Sequence, residues 1–233
     1  MKKNAIVLGI IPARGGSKGV PDKNIRLVVD KPLIDYAIEC GLACPSIDRV
    51  IVSTDSEKIA NIAKAAGAEV PFLRPKELAQ DDTPMLPVLK HSIGTIEKNS
   101  EIKVDLLVLL DPTGPLRTTE DVEEAIRLIR EKKCDAVISG HLAHRNPYFN
   151  MVIQDGDYVR IVLNADTPIG RRQDAPKVYD LNTVVWVYTR SAVMEKNKRI
   201  PSRTMLYLVP AERSLDLDSE RDFKYLEILM RKK

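Results

Sequence analysis

The chain has 233 residues, 44% of them hydrophobic and 30% charged, which is typical of a globular protein. Its 36 basic and 33 acidic side chains leave a formal net charge of +3 and are spread along the whole chain, without a basic tail. This distribution argues against nucleic acid as a partner. No shift in composition divides the chain, so we expect one domain over residues 1–233.

The apolar run at residues 5–11 follows two lysines, so a signal peptide or a membrane span has to be considered. The run is too short to cross a bilayer, and Arg14 and Lys18 follow it instead of a stop-transfer pattern. A buried strand explains it better, and no other segment is a candidate transmembrane helix. We therefore expect a cytoplasmic protein with no membrane partner.

Cysteine and histidine are too sparse to predict a metal centre. Cys40 and Cys44 share one face of a helical stretch without further ligands, and Cys134 makes the number odd, so we expect reduced thiols packed as small hydrophobes. His141 and His144 are three positions apart and have no third ligand nearby, which favours a structural or solvated role.

Short apolar runs alternate with helical patterns over the first half of the chain. This order is typical of a parallel sheet covered by helices, which binds ligands at the carboxyl ends of its strands. We predict strands at residues 5–11, 49–55, 69–72, 105–112, 135–140 and 183–189, and an edge strand at 207–210. We predict helices at residues 33–43, 57–67 (capped by Ser56), 87–98, 118–132 and 219–232.

The pattern changes between about residues 141 and 178, where short alternating pieces replace it. Residues 151–163, MVIQDGDYVRIVL, are typical of an antiparallel hairpin with a turn at Asp155-Gly156. We interpret residues 141–178 as an insertion within the single domain. A small excursion cannot bury these apolar residues alone, so we expect it to lie in the subunit interface of a homodimer.

The strongest functional signal is the loop after the first strand, ARGGSKGVPDKN at residues 13–24. Its glycines let backbone N–H groups approach phosphate oxygens, and Arg14, Lys18 and Lys23 offset negative charge, so the loop favours a triphosphate site. Its spacing matches neither GxGxxG nor GxxxxGK[ST]. An ordinary surface loop is the alternative, and the position after a buried strand argues against it. Asp55 either borders the same ligand edge or starts a turn.

This loop, followed by KPLI, resembles the opening of the CMP-N-acylneuraminate synthetase family of sugar cytidylyltransferases. The resemblance continues in order along nearly the whole chain: VSTDS (52–56), LRPKELAQDDT (73–83), LLDPTGPLR (109–117), RRQDAP (171–176), YDLN (179–182) and SLDLDSERDF (214–223). It implies an α/β, doubly wound, largely parallel sheet of the nucleotidyltransferase (Rossmann-like) kind, with a small antiparallel dimerisation excursion at about residues 141–178.

The resemblance also implies roles for individual residues. Arg14, Lys18 and Lys23 would hold the CTP phosphates and assist catalysis, and Arg74 would lie near the cytosine. The other implied nucleotide-binding residues are Ala13, Gly15, Gly16, Ser17 and Asn24. The implied sugar-side residues are Asp111, Arg172, Gln173, Asp180 and Asn182.

Asp216 and Asp218 alternate in LDLD, so on a strand end both carboxylates would face the same way. Two carboxylates together with phosphate oxygens and waters suit octahedral magnesium, which seldom uses an all-protein cage. The alternative for Asp218 is a cap on the last helix. The family resemblance favours the metal, so we expect magnesium as cofactor with Asp216 and Asp218 as its ligands.

Four positions depart from the family pattern on the sugar side. The family commonly has glutamine where this chain has Asp111, and arginine followed by proline or leucine before the asparagine where it has Asp180. After that asparagine the family has small residues where this chain has Thr183 and Val184. Carboxylates accept hydrogen bonds and repel anions. We therefore expect an amino-bearing or unacylated acidic sugar to be preferred over N-acetylneuraminate, unless both aspartates serve structural hydrogen bonds.

We thus expect an enzyme that transfers CMP from CTP to the anomeric hydroxyl of an acidic nonulosonic or octulosonic sugar and releases pyrophosphate. Two other functions stay open. One is a nucleotidyltransferase for another nucleotide or a neutral sugar. The other is a sensor that binds CTP without turnover, which would not need to keep both carboxylates of LDLD.

Overall fold

A six-stranded sheet forms the centre of the protein in a computed structural model that describes residues 5–17, 19–165 and 169–231. In spatial order its strands are β10 (Thr204–Leu208), β6 (Ala136–Leu142), β9 (Tyr179–Thr189), β5 (Lys103–Leu109), β1 (Ala5–Pro12) and β4 (Arg49–Ser53). All neighbouring pairs are parallel except those of β9, which runs antiparallel to both β5 and β6. The largely parallel α/β fold predicted from the sequence is confirmed.

Helices cover both faces of this sheet because each strand of the interior is apolar on both sides. On one face α1 (Leu33–Leu42), α2 (Glu57–Ala65) and α4 (Thr119–Lys132) pack over the sheet through buried Ile34, Ile59 and Val122. On the other face α3 (Met85–Asn99) packs through Leu89 and Ile93. The last helix, α5 (Glu220–Arg231), packs against the segment after β1 and not against the sheet itself. Within the described ranges no helix is both long and apolar enough to cross a bilayer.

Several predicted strands differ from the structure, among them the edge strand expected at residues 207–210, which begins three residues earlier as β10 (Thr204–Leu208). The strand expected at residues 69–72 is reduced to isolated bridges, Ile51 with Glu69 and Thr54 with Leu73, because Pro71 has no N–H for a continuous ladder. The strand expected at 183–189 begins four residues earlier, at Tyr179, since it continues beside β6 past a register shift.

The predicted hairpin forms its own two-stranded antiparallel sheet of β7 (Val152–Asp155) and β8 (Tyr158–Ile161). Asp155 pairs with Tyr158, so the turn residues are Gly156 and Asp157, one position later than predicted. Gly156 has a φ of 62°, the left-handed region that tight hairpin turns require. Tyr158 is 81% exposed, so the hairpin presents apolar surface to its surroundings. A second small sheet joins β2 (Leu27–Val28) to β3 (Lys31–Pro32).

The N-terminus of α4 is a buried polar junction. Thr118 and Asp121 form a capping box, and the Asp121 side chain also accepts hydrogen bonds from the hydroxyl of Tyr207 (2.9 Å) and from the guanidinium of Arg213. Tyr207 belongs to β10, and Arg213 precedes the segment that carries Asp216. One carboxylate therefore fixes a helix start, an edge strand and the path of the chain towards residues 214–218.

Asp121→Ala should lower the free energy of unfolding by about 2–4 kcal/mol, because it removes the capping box and leaves the donors of Tyr207 and Arg213 without their acceptor. Urea denaturation measures the change. Glu120→Ala, an exposed carboxylate in the same turn, is the control and should leave the unfolding midpoint nearly unchanged. Equal effects of the two variants would show that the junction does not stabilise the fold.

Candidate functional site

The carboxyl edge of the sheet carries a cavity of about 450 Å³, the main pocket, which falls in the size range of ligand sites. Five segments that are distant in sequence line it, and their lining residues are Pro12, Arg14, Ser17, Gly19, Lys23 and Asn24; Arg74, Leu78, Gln80, Asp81, Thr83, Met85 and Val88; Asp111 and Thr113; Thr183; and Asp216 and Asp218. Parallel strands bring their carboxyl ends to one edge, which is why the loops after β1, β4 and β5 meet here.

The loop at residues 13–24 is held in place by the neighbouring strand end. The Ala13 N–H donates to the carbonyl of Ser53 (3.0 Å), and the Gly15 N–H donates to Oδ1 of Asp55 (2.9 Å). Asn24 is buried and donates from Nδ2 to the carbonyl of Arg14 (3.1 Å). Ala13, Gly15 and Asn24 thus shape the loop, and Asp55 serves as its anchor.

Both described cations of this loop are paired with carboxylates from other parts of the chain. Lys23 donates from Nζ to the carbonyl of Leu217 (2.8 Å) and to Oδ1 of Asp218 (3.1 Å). Arg14 forms an ion pair with Asp81, on the opposite side of the pocket. Lys18, the third predicted cation, lies outside the described residues. The positive charge of the loop therefore faces the cavity and is balanced by groups that a polyanion can replace.

Arg74 lies in the wall of the main pocket and is 5% exposed. It donates from Nε to the hydroxyl of Ser53 (3.0 Å) and from its terminal nitrogen to the Ser53 carbonyl. Burial lowers the pKa of Arg74 to about 10, the charge of Arg14 lowers it too, and Asp55 opposes both. The guanidinium remains charged at neutral pH and is held rigidly against the end of β4.

Three carboxylates line the main pocket: Asp111, Asp216 and Asp218. Burial raises the pKa of the Asp216 carboxyl above its usual value and the charges of Asp218 and Asp111 raise it further, whereas the nearby hydroxyl of Thr113 and the charge of Lys23 lower it. A cation placed among these carboxylates would relieve their mutual repulsion.

The segment that carries Asp216 and Asp218 is irregular and not a strand end, as the sequence pattern had suggested. Both residues line the pocket nevertheless. Ser219 directly precedes α5, and the carboxylate of Asp222 accepts the N–H groups of Ser219 (2.7 Å) and Asp218 (3.1 Å). The start of the helix is therefore fixed by Asp222 rather than by the side chain of Asp218.

The donor chemistry of this cluster fits a hard divalent cation. Carboxylate oxygens are the ligands that magnesium prefers, and it completes its octahedron with waters and substrate phosphates. In the described part of the chain no three His, Cys, Asp or Glu side chains are grouped closely enough to hold a metal by themselves. A cation at Asp216 and Asp218 would depend on oxygens from a bound ligand.

Thr113 is a functional candidate that the sequence patterns did not indicate, and Thr183 stood out there only as a departure from the family pattern. The Thr113 N–H donates to Oδ1 of Asp111 (3.1 Å), and its hydroxyl lies 2.9 Å from the same oxygen and 3.2 Å from the Thr183 hydroxyl. The Thr183 hydroxyl donates to Oδ1 of Asp216 (3.3 Å). A signal for Thr113 was available, because it follows β5 directly at the ligand edge of the sheet.

A second cavity of about 300 Å³, the side cavity, shares Asp111, Thr183 and Met85 with the main pocket. The remainder of its wall is mostly apolar and includes Leu109, Leu89 and Tyr188 together with Trp186 and Arg199. The guanidinium carbon of Arg199 lies 4.9 Å from the centre of the Trp186 ring, in cation–π contact. The two cavities meet at Asp111 and Thr183, so a ligand of two parts can occupy both.

Other predicted sugar-side residues lie elsewhere. Arg172 and Gln173 line a separate cavity of about 360 Å³ beside β6, where Arg172 donates to the carbonyl of Ala143 (3.2 Å). Asp180 is exposed, and its carboxylate lies 3.8 Å from Nε2 of His141. Asn182 is buried: its carbonyl oxygen accepts from the Ser139 hydroxyl, and its amide nitrogen donates to the Ser214 hydroxyl (2.9 Å).

Comparison with known proteins identifies relatives over the full length of the chain. A family model described as cytidylyltransferase matches residues 8–224. The CMP-N,N'-diacetyllegionaminic acid synthase of Campylobacter jejuni is 36% identical over 97% of this chain and 95% of its own length. The N-acylneuraminate cytidylyltransferase of Streptococcus agalactiae is 32% identical over 92% of this chain, which spans 51% of that relative. The structure of a CMP:2-keto-3-deoxy-manno-octonic acid synthetase with CTP shares the fold, with a TM-score of 0.71 over 97% of this chain and 99% of that one at 17% identity.

Gly19→Ala should destabilise the protein by about 1–3 kcal/mol, because a Cβ at this position would lie 2.8 Å from the carbonyl oxygen of Asp218 and the two segments would have to separate. Urea denaturation measures the loss. Gly170→Ala is the control, since a Cβ there meets nothing within 4 Å. A Gly19 variant as stable as the control would contradict the close approach of the loop to residues 214–218.

Proposed function

Since the chain belongs to the cytidylyltransferase family, we propose that it transfers CMP from CTP to the anomeric hydroxyl of an acidic nonulosonic or octulosonic sugar and releases pyrophosphate. The membership confirms the resemblance drawn from the sequence motifs, and it makes the protein a nucleotidyltransferase. The acceptor is proposed because the relatives are named for legionaminic acid and N-acylneuraminate. The proposal rests mainly on one observation: the side chains of Lys23 and Asp218, which both line the main pocket, are in direct contact.

In this proposal the triphosphate lies between the loop at residues 13–24 and the carboxylate cluster. Arg14 and Lys23 exchange their carboxylate partners for phosphate oxygens, and Lys18 adds a third charge. These cations balance the charge that develops on the leaving pyrophosphate, and fixed charges of this kind supply most of the catalysis in phosphoryl transfer. Ser17 and the backbone N–H groups around Gly16 contribute hydrogen bonds.

Arg74 is proposed to mark the base end of the nucleotide. Its guanidinium is rigid because Ser53 accepts two of its hydrogen bonds. A fixed donor pre-organised before binding loses little entropy when the ligand arrives. The carbonyl oxygen of cytosine is a suitable acceptor for it, and a panel of the four nucleoside triphosphates tests this choice of base.

Asp216 and Asp218 are proposed to hold magnesium together with phosphate oxygens. When bound, the metal would neutralise phosphate charge and lower the pKa of an attacking hydroxyl. Asp218 is already directed at the phosphate loop by its ion pair with Lys23. The repulsion between the two carboxylates grows when a ligand excludes water from the pocket, and a bound cation would offset this repulsion.

The sugar is proposed to lie at the junction of the main pocket with the side cavity. Asp111 borders both and accepts hydrogen bonds there from hydroxyl, ammonium or amide N–H groups. Oδ1 of Asp111 already accepts a hydrogen bond from Thr113, so a sugar would donate to the acceptor positions of the carboxylate that are still free. The preference for an amino-bearing or unacylated sugar over N-acetylneuraminate stays a prediction.

Arg172 and Gln173 line a different cavity from the one beside the loop at residues 13–24, which favours a role in sugar binding from another subunit. We therefore propose a homodimer in which the insertion at about residues 141–178 lies at the interface. The exposed apolar residues Val152, Tyr158 and Val159 on its hairpin support this arrangement.

The three cysteines of the chain are free thiols, which fits a cytoplasmic location.

The direct test is pyrophosphate release from CTP and magnesium in the presence of acidic nonulosonic and octulosonic sugars, with mass spectrometry of the products. We expect a CMP-sugar and pyrophosphate in equal amounts. The series includes N-acetylneuraminate and an unacylated or amino-bearing sugar acid, so it also ranks the acceptors. CTP binding without turnover on any sugar would support the sensor, and turnover on neutral sugars alone would overturn the acidic acceptor.

Asp218→Asn should reduce magnesium-dependent turnover more than about 100-fold, because it removes the charge of a direct metal ligand. The loss of a residue that only supports a ligand costs about 10- to 100-fold. Thermal denaturation should be almost unaffected. Asp222→Ala is the matched control four residues away, and it should destabilise the start of α5 while turnover of the folded enzyme persists. Full turnover of the Asp218 variant at ordinary magnesium would refute its role as a ligand.

The dimer is tested by light scattering at low micromolar concentration, where the protein should have about twice the mass of one chain, as in the commonest closed symmetry. Val159→Glu should shift it towards the monomer, because it places a charge in the apolar contact. Ile228→Glu changes an exposed apolar residue on α5 and should leave the mass unchanged. A monomeric wild-type protein would contradict the proposed interface.

A further inference from the structure

Four side chains lie in a row between the two cavities, with the oxygen of each within hydrogen-bonding distance of the next. Asp111 at one end borders the side cavity, and Asp216 at the other end belongs to the carboxylate cluster. Thr113 and Thr183 lie between them, with 2.9 Å from Asp111 to Thr113, 3.2 Å between the two hydroxyls and 3.3 Å from Thr183 to Asp216. Two of these residues, Asp111 and Thr183, are among the four positions at which the sequence departs from the family pattern.

The backbone on both sides of this row is held by a buried arginine. Arg117 donates from Nη2 to the carbonyls of Asp111 (2.7 Å) and Thr183 (2.9 Å), and from Nε to the carbonyl of Val184. The guanidinium is 7% exposed and clamps the loop after β5 onto β9. The two threonine hydroxyls are therefore presented from rigid supports.

The segment that carries Asp216 is itself irregular. Strand β9 holds it through two consecutive residues, Asn182 to the hydroxyl of Ser214 (2.9 Å) and Thr183 to the carboxylate of Asp216 (3.3 Å). The first contact anchors the segment, and the second sets the direction of the carboxylate. A carboxylate fixed before the ligand arrives loses less entropy on binding a metal.

We propose that Thr183 is a positioning residue of the transfer reaction: its hydroxyl holds the Asp216 carboxylate towards the pocket, and Thr113 completes the link to Asp111. The proposal rests on the proposed function, in which Asp216 holds magnesium. Each hydroxyl has one hydrogen, so the Thr113 hydroxyl donates to Oδ1 of Asp111 (2.9 Å) and the Thr183 hydroxyl donates to the Asp216 carboxylate (3.3 Å), with the two hydroxyl oxygens 3.2 Å apart. The N–H of Thr113 is a second donor to Asp111.

The experiment measures how much magnesium improves the affinity for CTP. Calorimetric titrations of CTP, with and without excess magnesium and without sugar, give this improvement in the absence of turnover. Thr183→Val keeps the shape of the side chain and removes the hydroxyl, so the improvement should fall about tenfold, as for other outer-shell partners of metal ligands. Thr183→Ser keeps the hydroxyl and should restore it to within about twofold.

Metal-free affinity for CTP separates positioning from direct contact, because Thr183 also lines the main pocket. Positioning requires this affinity to stay unchanged in Thr183→Val, and a fall in it would overturn the proposal in favour of a contact with the nucleotide. Thr189→Val is the control on the same strand, where the hydroxyl bonds to the carbonyl of Asp135 (3.3 Å), away from the pocket. It should leave the effect of magnesium unchanged.

If Thr183→Val does not fold, Thr183→Ala replaces it with the same expectation. If magnesium improves the CTP affinity of the variant without the hydroxyl as much as that of the wild type, the positioning role is overturned. That result leaves the proposed function intact when the wild-type enzyme still forms a CMP-sugar. A wild-type protein that binds CTP without any effect of magnesium and forms no product overturns both proposals.

Discussion

The contact of Lys23 with the segment at Leu217 and Asp218 is the constraint on which the site depends. It joins residues 194 positions apart, and the ammonium group satisfies a backbone carbonyl and a carboxylate together. Gly19 permits the same approach, since any side chain there would meet the carbonyl of Asp218. The N-terminal loop and the C-terminal segment thereby become the two walls of one pocket, with cations on one side and carboxylates on the other.

Strand β9 has a comparable influence on the other half of the site. It runs antiparallel between β5 and β6, so its first residues, and not its last, reach the ligand edge of the sheet. Asn182 and Thr183 thereby come beside Ser214 and Asp216. This direction needs no crossover helix, because β6 and β9 are antiparallel neighbours that a connection at one edge of the sheet can join.

Charge in the main pocket is balanced internally in the absence of a polyanion. Arg14 pairs with Asp81, and Lys23 pairs with Asp218. Such pairs offset part of the cost of gathering like charges in a cavity. In the proposed function they are exchanged when phosphates bring negative charge and a cation joins the carboxylates. The raised pKa of Asp216 has the same origin, since burial and neighbouring carboxylates both disfavour its charged form.

The sequence by itself determined the elements whose information is local. The periodicity of apolar residues and the capping residues located the strands and helices. The glycines and cations of residues 13–24 indicated the loop that we propose to bind phosphates, and the spacing in LDLD indicated Asp216 and Asp218. Family resemblance added Arg74 and Asp111, which do line the pocket. Only the tertiary structure decided that Asn182 anchors Ser214, that Arg172 lines another cavity, and that Thr113 and Thr183 join two carboxylates. These relations depend on which strands become neighbours and in which direction they run, and no short window of sequence carries that information because the contacts join segments far apart along the chain.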